Sequence, residues 1–382
     1  MKLKKILSTI DSLEDKYLDT LENVCNIESP TLFKEGVDRC GQYFTDMATA
    51  RGWQVEVCKQ AVSGNAICIT LNPDAEGTPV CVSAHLDTVH PVGLFGNPPT
   101  HRDDKNMYGP GVMDCKGGAV AAFMAMDALD KCGFKARPVK LILQSDEENS
   151  SATSNKGTIE FMCQKAQGAA AFLNLEGIKG ETAVVERKGI LRYKFICHGK
   201  ALHSSRCPEA ANAVTEAAHK IIELEKYKDP AGLTCNCGVI SGGTVANTVA
   251  EECSFFADIR FVTNEQLAEI KQKAQEIADK TYVPGCSCTL QEVSFRPAMP
   301  ETETNMKLLD KINKIYAECG LPVLTARKCL SGSDAAYITQ CGIPCLDNLG
   351  VEGSNIHSIH EYAVLASLKE SAKRIAAVVY GI

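Results

Sequence analysis

At 382 residues the chain has room for two domains, and its 45% apolar and 23% charged residues suit a globular protein with real cores rather than a disordered one. Forty basic groups against 47 acidic ones leave a net charge of -7. No basic stripe interleaves with aromatics, which argues against nucleic acid as a partner. The start, MKLKKILSTIDSLEDKY, has too short an apolar stretch for a secretory signal, and runs such as GGAVAAFMAM are too short to cross a bilayer. The expected place is the cytoplasm, with no membrane partner. Nineteen cysteines are many for such a chain. The CxC pairs Cys235/Cys237 and Cys286/Cys288 lack zinc-finger spacing, so the thiols read as reduced, small hydrophobes.

The first 35 or so residues predict helix, with Leu13, Tyr17, Leu18, Leu21 and Val24 at helical spacing. Strand-length apolar runs then alternate with helical stretches. PVCVSA (79–84), VKLILQS (139–145) and AAFLNL (170–175) predict buried strands; 118–132 and 158–166 predict the helices between them. That order implies a mostly parallel sheet covered by helices. Near residue 187 the pattern changes to strand, helix, two strands, helix, strand, ending near 295, which is the order of a ferredoxin-like α+β unit. The fold class is therefore α/β, with a larger domain split into 1–186 and 297–382 around an inserted α+β domain at 187–296.

Ligand-type residues fall just after the predicted parallel strands, at the edge where loops converge in open α/β sheets. His85 and Asp87 end the first in SAHLDTVHP; Glu147 and Glu148 follow the second in QSDEENSS; Glu176 follows the third in NLEG. Asp114 precedes a helix in GPGVMDCKGG. Each has an ordinary reading alone: a polar loop histidine, a solvated acidic turn, a glycine-rich helix start. Their joint arrival at one edge points to a mixed nitrogen and oxygen site for zinc, cobalt or manganese. In HxD the two side chains point the same way, so Asp87 is expected to accept the second ring N–H of His85; a turn-capping Asp is the alternative.

The motifs AHLDTV, YGPGVMDCKGG, SDEENSS, NLEG, HGKALHSS, SGGTVANTVAEECSFFADIRF, SGSDAAY and NIHSIHEYAVL run in order through nearly the whole chain. In this the sequence resembles the dinuclear zinc metallopeptidase and aminoacylase family, which includes carboxypeptidase G, acetylornithine deacetylase, succinyl-diaminopimelate desuccinylase, aminoacylase and peptidase T. The resemblance implies two divalent ions per chain, with His85 and Glu176 on one, Glu148 and His357 on the other, and Asp114 bridging. His357 is preferred to His360 because family members place an acidic residue four positions after the ligand, and Glu361 fits. A cis peptide is implied at Asp114–Cys115, a position where Cys115 brings a thiol near the metals.

On the same resemblance, water held between the ions becomes the nucleophile and Glu147 the general base. His203 implies a homodimer, since its family counterpart reaches a neighbour's site to stabilise the oxyanion. Asn247 and Arg260 are implied in holding the substrate's terminal carboxylate, with Ser333 in the same pocket; a strand ion pair is the plain alternative for Arg260. The expected reaction is amide hydrolysis in a small peptide or N-acyl amino acid. GPG and KGG around Asp114 resemble the carboxypeptidase and deacylase branches, whereas NIHSIHEY resembles peptidase T. A non-catalytic metal-binding protein or a thiol-based redox or zinc-storage protein are the readings from other classes.

Overall fold

The computed structural model describes residues 2–382. By its internal contacts the chain divides into two compact units, one of Met1–Val185, Glu301–Lys328 and Ser333–Ile382, the other of Glu186–Pro300 with Cys329–Gly332.

The larger unit is built on a six-stranded sheet in the order Gln54–Cys58, Ala66–Leu71, Val139–Gln144, Val80–His85, Ala171–Asn174, Cys345–Leu346. The last four are parallel to one another. The first two form an antiparallel edge pair. Val80–His85 is buried at every residue, as a strand covered on both faces must be. The helix Lys116–Lys131 is apolar nearly all round because it is itself enclosed, packing on the C-terminal helix Leu365–Gly381 and on the central strand. The predicted helical start is two helices, Lys2–Ser12 and Glu14–Cys25, with a third at Lys34–Thr49.

A four-stranded antiparallel sheet joins Gly353–Ser354, Tyr362–Val364, Asn106–Tyr108 and His101–Arg102. Its strands are too short to carry a period in the sequence, yet they bring the segment around His357 beside the segment leading to Asp114.

The second unit contains strand Gly189–His198, helix Ala213–Leu224, strands Thr234–Gly242 and Glu252–Phe261, helix Asn264–Asp279 and strand Ser287–Arg296. The sheet order puts the first strand between the third and fourth, all antiparallel, which is the ferredoxin-like arrangement. Alternate residues of Glu252–Phe261 are buried, and Phe195 stacks on Phe255 with ring centroids 4.7 Å apart. Thr263 and Gln266 close a capping box at the start of its longer helix. Among the described residues no cysteine is in a disulfide; most are buried or half-buried, and Cys207 and Cys341 are exposed.

Candidate metal centre

Three adjacent parallel strands deliver the first group of side chains. His85 is the last residue of Val80–His85; Glu147 and Glu148 lie just beyond Val139–Gln144, and Glu176 just beyond Ala171–Asn174. Pairing of His85 with Gln144, and of Ser83 with Asn174, sets the three ends level. Asp114 enters from the side, immediately before the helix that starts at Lys116, through a cis peptide to Cys115. Gly118 explains why the sequence needs GG there: a Cβ on it would lie 2.3 Å from the Leu175 carbonyl, so only glycine lets this helix start against the strand that leads to Glu176.

The five residues implied as ligands meet. His85 Nε2 lies 3.1 Å from Asp114 Oδ1 and 3.8 Å from Glu176 Oε1. His357 Nε2 lies 3.2 Å from Asp114 Oδ2 and 3.2 Å from Glu148 Oε2. Asp114 thus turns one oxygen to each histidine, the disposition a bridging carboxylate needs. Donors sharing one tetrahedral zinc at its usual bond lengths sit roughly 3.3 Å apart, so these separations leave the edges of a metal site already drawn. His85, Asp114 and Glu148 offer donor atoms within 4.8 Å of one another, as do His85, Cys115 and Glu176.

The electrostatics favour a cation. His85 Nδ1 is 2.9 Å from the main-chain carbonyl of Asp87. Donation there turns Nε2 to carboxylate oxygens. Burial alone would lower the ring's pKa, but Cys115, Asp114 and Asp87 hold it well above the usual imidazole range, so the surroundings favour positive charge at this place. Burial pushes Glu148 up to about 7 against the opposing pull of His357. Burial and then Asp114 raise Glu176 well above the carboxylate range. Hydrogen bonds to Asp114 and Glu148 push His357 up to about 10. Burial alone would raise Asp114, but His357 and His85 hold it well below its ordinary value. A cluster of carboxylates and histidines that shift one another's protonation this strongly is a place where a bound cation is favoured.

Asp87 does more than the HxD spacing suggests. Its main-chain oxygen takes the ring N–H of His85, while its carboxylate Oδ1 stands 3.4 Å from that nitrogen. The carboxylate instead accepts from Glu147 N at 3.1 Å, Glu148 N at 3.2 Å and the Thr31 hydroxyl at 2.8 Å. It therefore holds the turn that presents both glutamates. Glu147 is buried, and its charge helps raise both Glu148 and Glu176. His360 is exposed and lines a separate cavity with Tyr108 and Tyr362. Cys115 is buried, donates its thiol to the Leu175 carbonyl at 3.0 Å, and burial raises it well above the usual thiol range.

Ser333 departs from the expected pocket role. It is 1% exposed. Its hydroxyl donates to Asp347 Oδ2 at 2.6 Å and accepts from Asn174 Nδ2 and Ala335 N, both at 3.1 Å. One donor and two acceptor sites are all a hydroxyl has, so none is left for a substrate. Within the second unit, His203 is exposed at the start of a short 3-10 helix, with Nδ1 2.9 Å from the Ser205 hydroxyl. The Asn247 carbonyl accepts from Ser204 N at 2.9 Å, so these two loops run together. Arg260 pairs with Asp258 two residues earlier on its strand, Nε to Oδ1 at 2.6 Å, beside Arg192.

The profile of Peptidase family M20/M25/M40 matches residues 81–381. This chain belongs to that family. Among M20 relatives, carboxypeptidase G2 from Pseudomonas sp. (strain RS-16) is 27% identical over 348 residues, covering 89% of this chain and 83% of its own. Succinyl-diaminopimelate desuccinylase from Wolinella succinogenes is 24% identical, covering 78% and 83%. In fold, the M20 chain here resembles aminopeptidase PepT from Bacillus cereus with a TM-score of 0.78 at 21% identity, covering 96% and 98% of the two chains. The protein is thus a metal-dependent hydrolase on an M20 scaffold, and no described helix is long and apolar enough to cross a membrane.

Several residues that support the M20 site had no role read for them in the sequence, although Lys116 and Asn174 stand in the CKGG and NLEG motifs. Thr31, on the loop before the third helix, steadies Asp87. Lys116 is fully buried, and its ammonium donates to the Ile27 carbonyl at 2.8 Å, tying the start of the site helix to the N-terminal helices. Asp347 and Asn174 anchor Ser333. Thr31 and Asp347 lie outside every motif, and a polar residue beside an element end is too common to single them out.

Proposed function

We propose that this M20 hydrolase cuts the amide bond of a small peptide or N-acyl amino acid as a carboxypeptidase or deacylase, using two divalent ions, zinc by preference. The observation that carries the reading is Asp114 facing His85 with one oxygen and His357 with the other, flanked by Glu176 and Glu148. In this assignment His85 and Glu176 hold one ion, Glu148 and His357 the other, and Asp114 both. The bound pair supplies Lewis acidity that polarises the scissile carbonyl and lowers the pKa of a water.

This chain's own residues do the rest. Glu147 removes the proton from the attacking water and returns it to the leaving amine. Asp87 holds Glu147 in reach through the backbone bond at 3.1 Å. His203 of one chain serves the site of a second copy in a homodimer, donating to the oxyanion. Arg260 and Asn247 receive the substrate carboxylate, for which Arg260 shares its guanidinium with Asp258. The cytoplasm suits nineteen cysteines kept as thiols. A peptidase T-like aminopeptidase is the second reading, favoured by the ending NIHSIHEY. A non-catalytic binding protein fits less well, because no member of the constellation is replaced.

Metal analysis of the purified protein, coupled to a panel of N-acyl amino acids, dipeptides and end-blocked tripeptides, tests this. Two equivalents of metal are expected, with cleavage only where the α-carboxylate is unblocked. A requirement for an unblocked α-amine would select the aminopeptidase instead. Absence of metal and of turnover would end the proposal.

A further inference from the structure

Glu361 enters the sequence reading only as a marker four residues after His357. In the fold it does something specific. Its side chain is 1% exposed, and both carboxylate oxygens are used. One oxygen, Oε1, accepts from Met113 N and Asp114 N, each at 3.0 Å. The other accepts from Gly111 N at 3.2 Å and lies 3.2 Å from His90 Nε2. The loop 111–114 is therefore wrapped around one buried carboxylate, and its last residue is the carboxylate that faces both histidines. The main chain is joined as well, with Gly109 N donating to the Glu361 carbonyl at 3.3 Å.

The segment from His357 to Glu361 thus grips Asp114 at two ends. His357 Nε2 sits 3.2 Å from the Asp114 side chain, while Glu361 binds the Asp114 backbone N–H. His357 has a positive φ of 61°, and four residues further on the chain meets the loop again through Glu361. Two attachments four residues apart set where the Asp114 carboxylate stands relative to His357 and leave it little freedom to swing. A charged acceptor suits the task, since bonds from N–H to an ionised carboxylate are about twice as strong as neutral ones.

We propose that Glu361, with His90 orienting it, is a positioning residue that holds Asp114 in its bridging place and so sets the affinity of the metal pair; this rests on the dinuclear reading above. Glutamine is the informative replacement. Its amide has one accepting oxygen and one NH2 group, so the NH2 must face either Gly111 N or the Met113 and Asp114 pair.

The test is competition with a chromophoric chelator for Zn2+ on the wild-type chain and on Glu361→Gln, at a temperature where circular dichroism shows both metal-free proteins folded. The visible spectrum of each Co2+-loaded form is recorded alongside. Supporting residues of this kind are worth about 10–100-fold in metal affinity, and that loss is expected, with an altered Co2+ spectrum. A purely structural glutamate would lower the melting temperature and leave affinity and spectrum alone, which would overturn the proposal. If Glu361→Gln does not fold, His90→Phe takes its place, with a several-fold weaker affinity expected and an unchanged one overturning it. Wild-type protein that binds no divalent ion would remove the dinuclear reading itself, and this inference with it; two bound ions with an indifferent Glu361→Gln would remove this inference alone.

Discussion

Gly118 sets two physical effects against each other. It lies in the first turn of the helix Lys116–Lys131, where alanine is favoured over glycine by up to about 1 kcal/mol on backbone grounds. Helix propensity alone therefore predicts that Gly118→Ala stabilises the protein. The packing predicts the opposite. The new Cβ would stand 2.3 Å from the Leu175 carbonyl oxygen and 2.7 Å from Leu175 Cβ, where real Cβ contacts do not fall below 3.0 Å. Something must move by roughly 0.7 Å to reach that limit and by roughly 1.1 Å to restore ordinary contact. Leu175 yields poorly, since its N–H donates to Ser83 O at 2.8 Å and its carbonyl accepts the Cys115 thiol at 3.0 Å. Overpacking against fixed neighbours costs about 1–3 kcal/mol, which set against the propensity gain leaves a net loss of up to about 2 kcal/mol. Because Glu176 is the next residue, the displacement also reaches the metal site, and Zn2+ affinity should fall about 10-fold. Guanidinium unfolding of the metal-free protein and chelator competition measure the two effects. A Gly118→Ala protein more stable than wild type, with unchanged affinity, would refute the packing argument.

Glu147→Gln should keep both metals yet lose turnover by about 10²–10⁴-fold; near-normal kcat would remove Glu147 as the base. Asp87→Asn leaves at least one of the backbone donors at Glu147 and Glu148 facing an NH2 group, so it should cost about 2–4 kcal/mol in unfolding free energy and slow kcat; wild-type values for both would contradict its place under the turn. Asp127 is held at about 2: burial would raise it, but Arg51 and Tyr17 prevail. Its folded pKa lies below its unfolded value near 3.9, so its stabilisation is present above about pH 4 and lost as the pH falls towards 2. After allowance for screening by solvent around Lys16, about 1–2 kcal/mol should disappear over that window in wild type and not in Asp127→Asn, read as the difference in urea midpoints. Brief alkylation with iodoacetamide should label exposed Cys207 and Cys341 and spare Cys115, as peptide mass spectrometry would show; early labelling of Cys115 would contradict its burial.

The sequence alone determined which apolar runs form the parallel strands and the edge at which chemistry collects. Strands such as Val80–His85 are buried on both faces and so must be continuously apolar, which makes a polar residue at the strand end conspicuous. His85, Glu148 and Glu176 were legible for that reason, and Asp114 and His357 through motifs that resemble a known family. Tertiary structure decided everything that depends on which donor meets which acceptor across long gaps of chain. The HxD spacing suggested the Asp87 side chain for the His85 ring, yet a nearer main-chain oxygen takes that proton and frees the carboxylate for the turn of Glu147 and Glu148. Ser333 looked like a pocket residue until its three hydrogen-bonding positions were all filled from within. Glu361 is 247 residues from the backbone N–H of Asp114, and no local pattern reports such a contact. Periodicity records which side of an element faces the core; it carries no information on the partner waiting there.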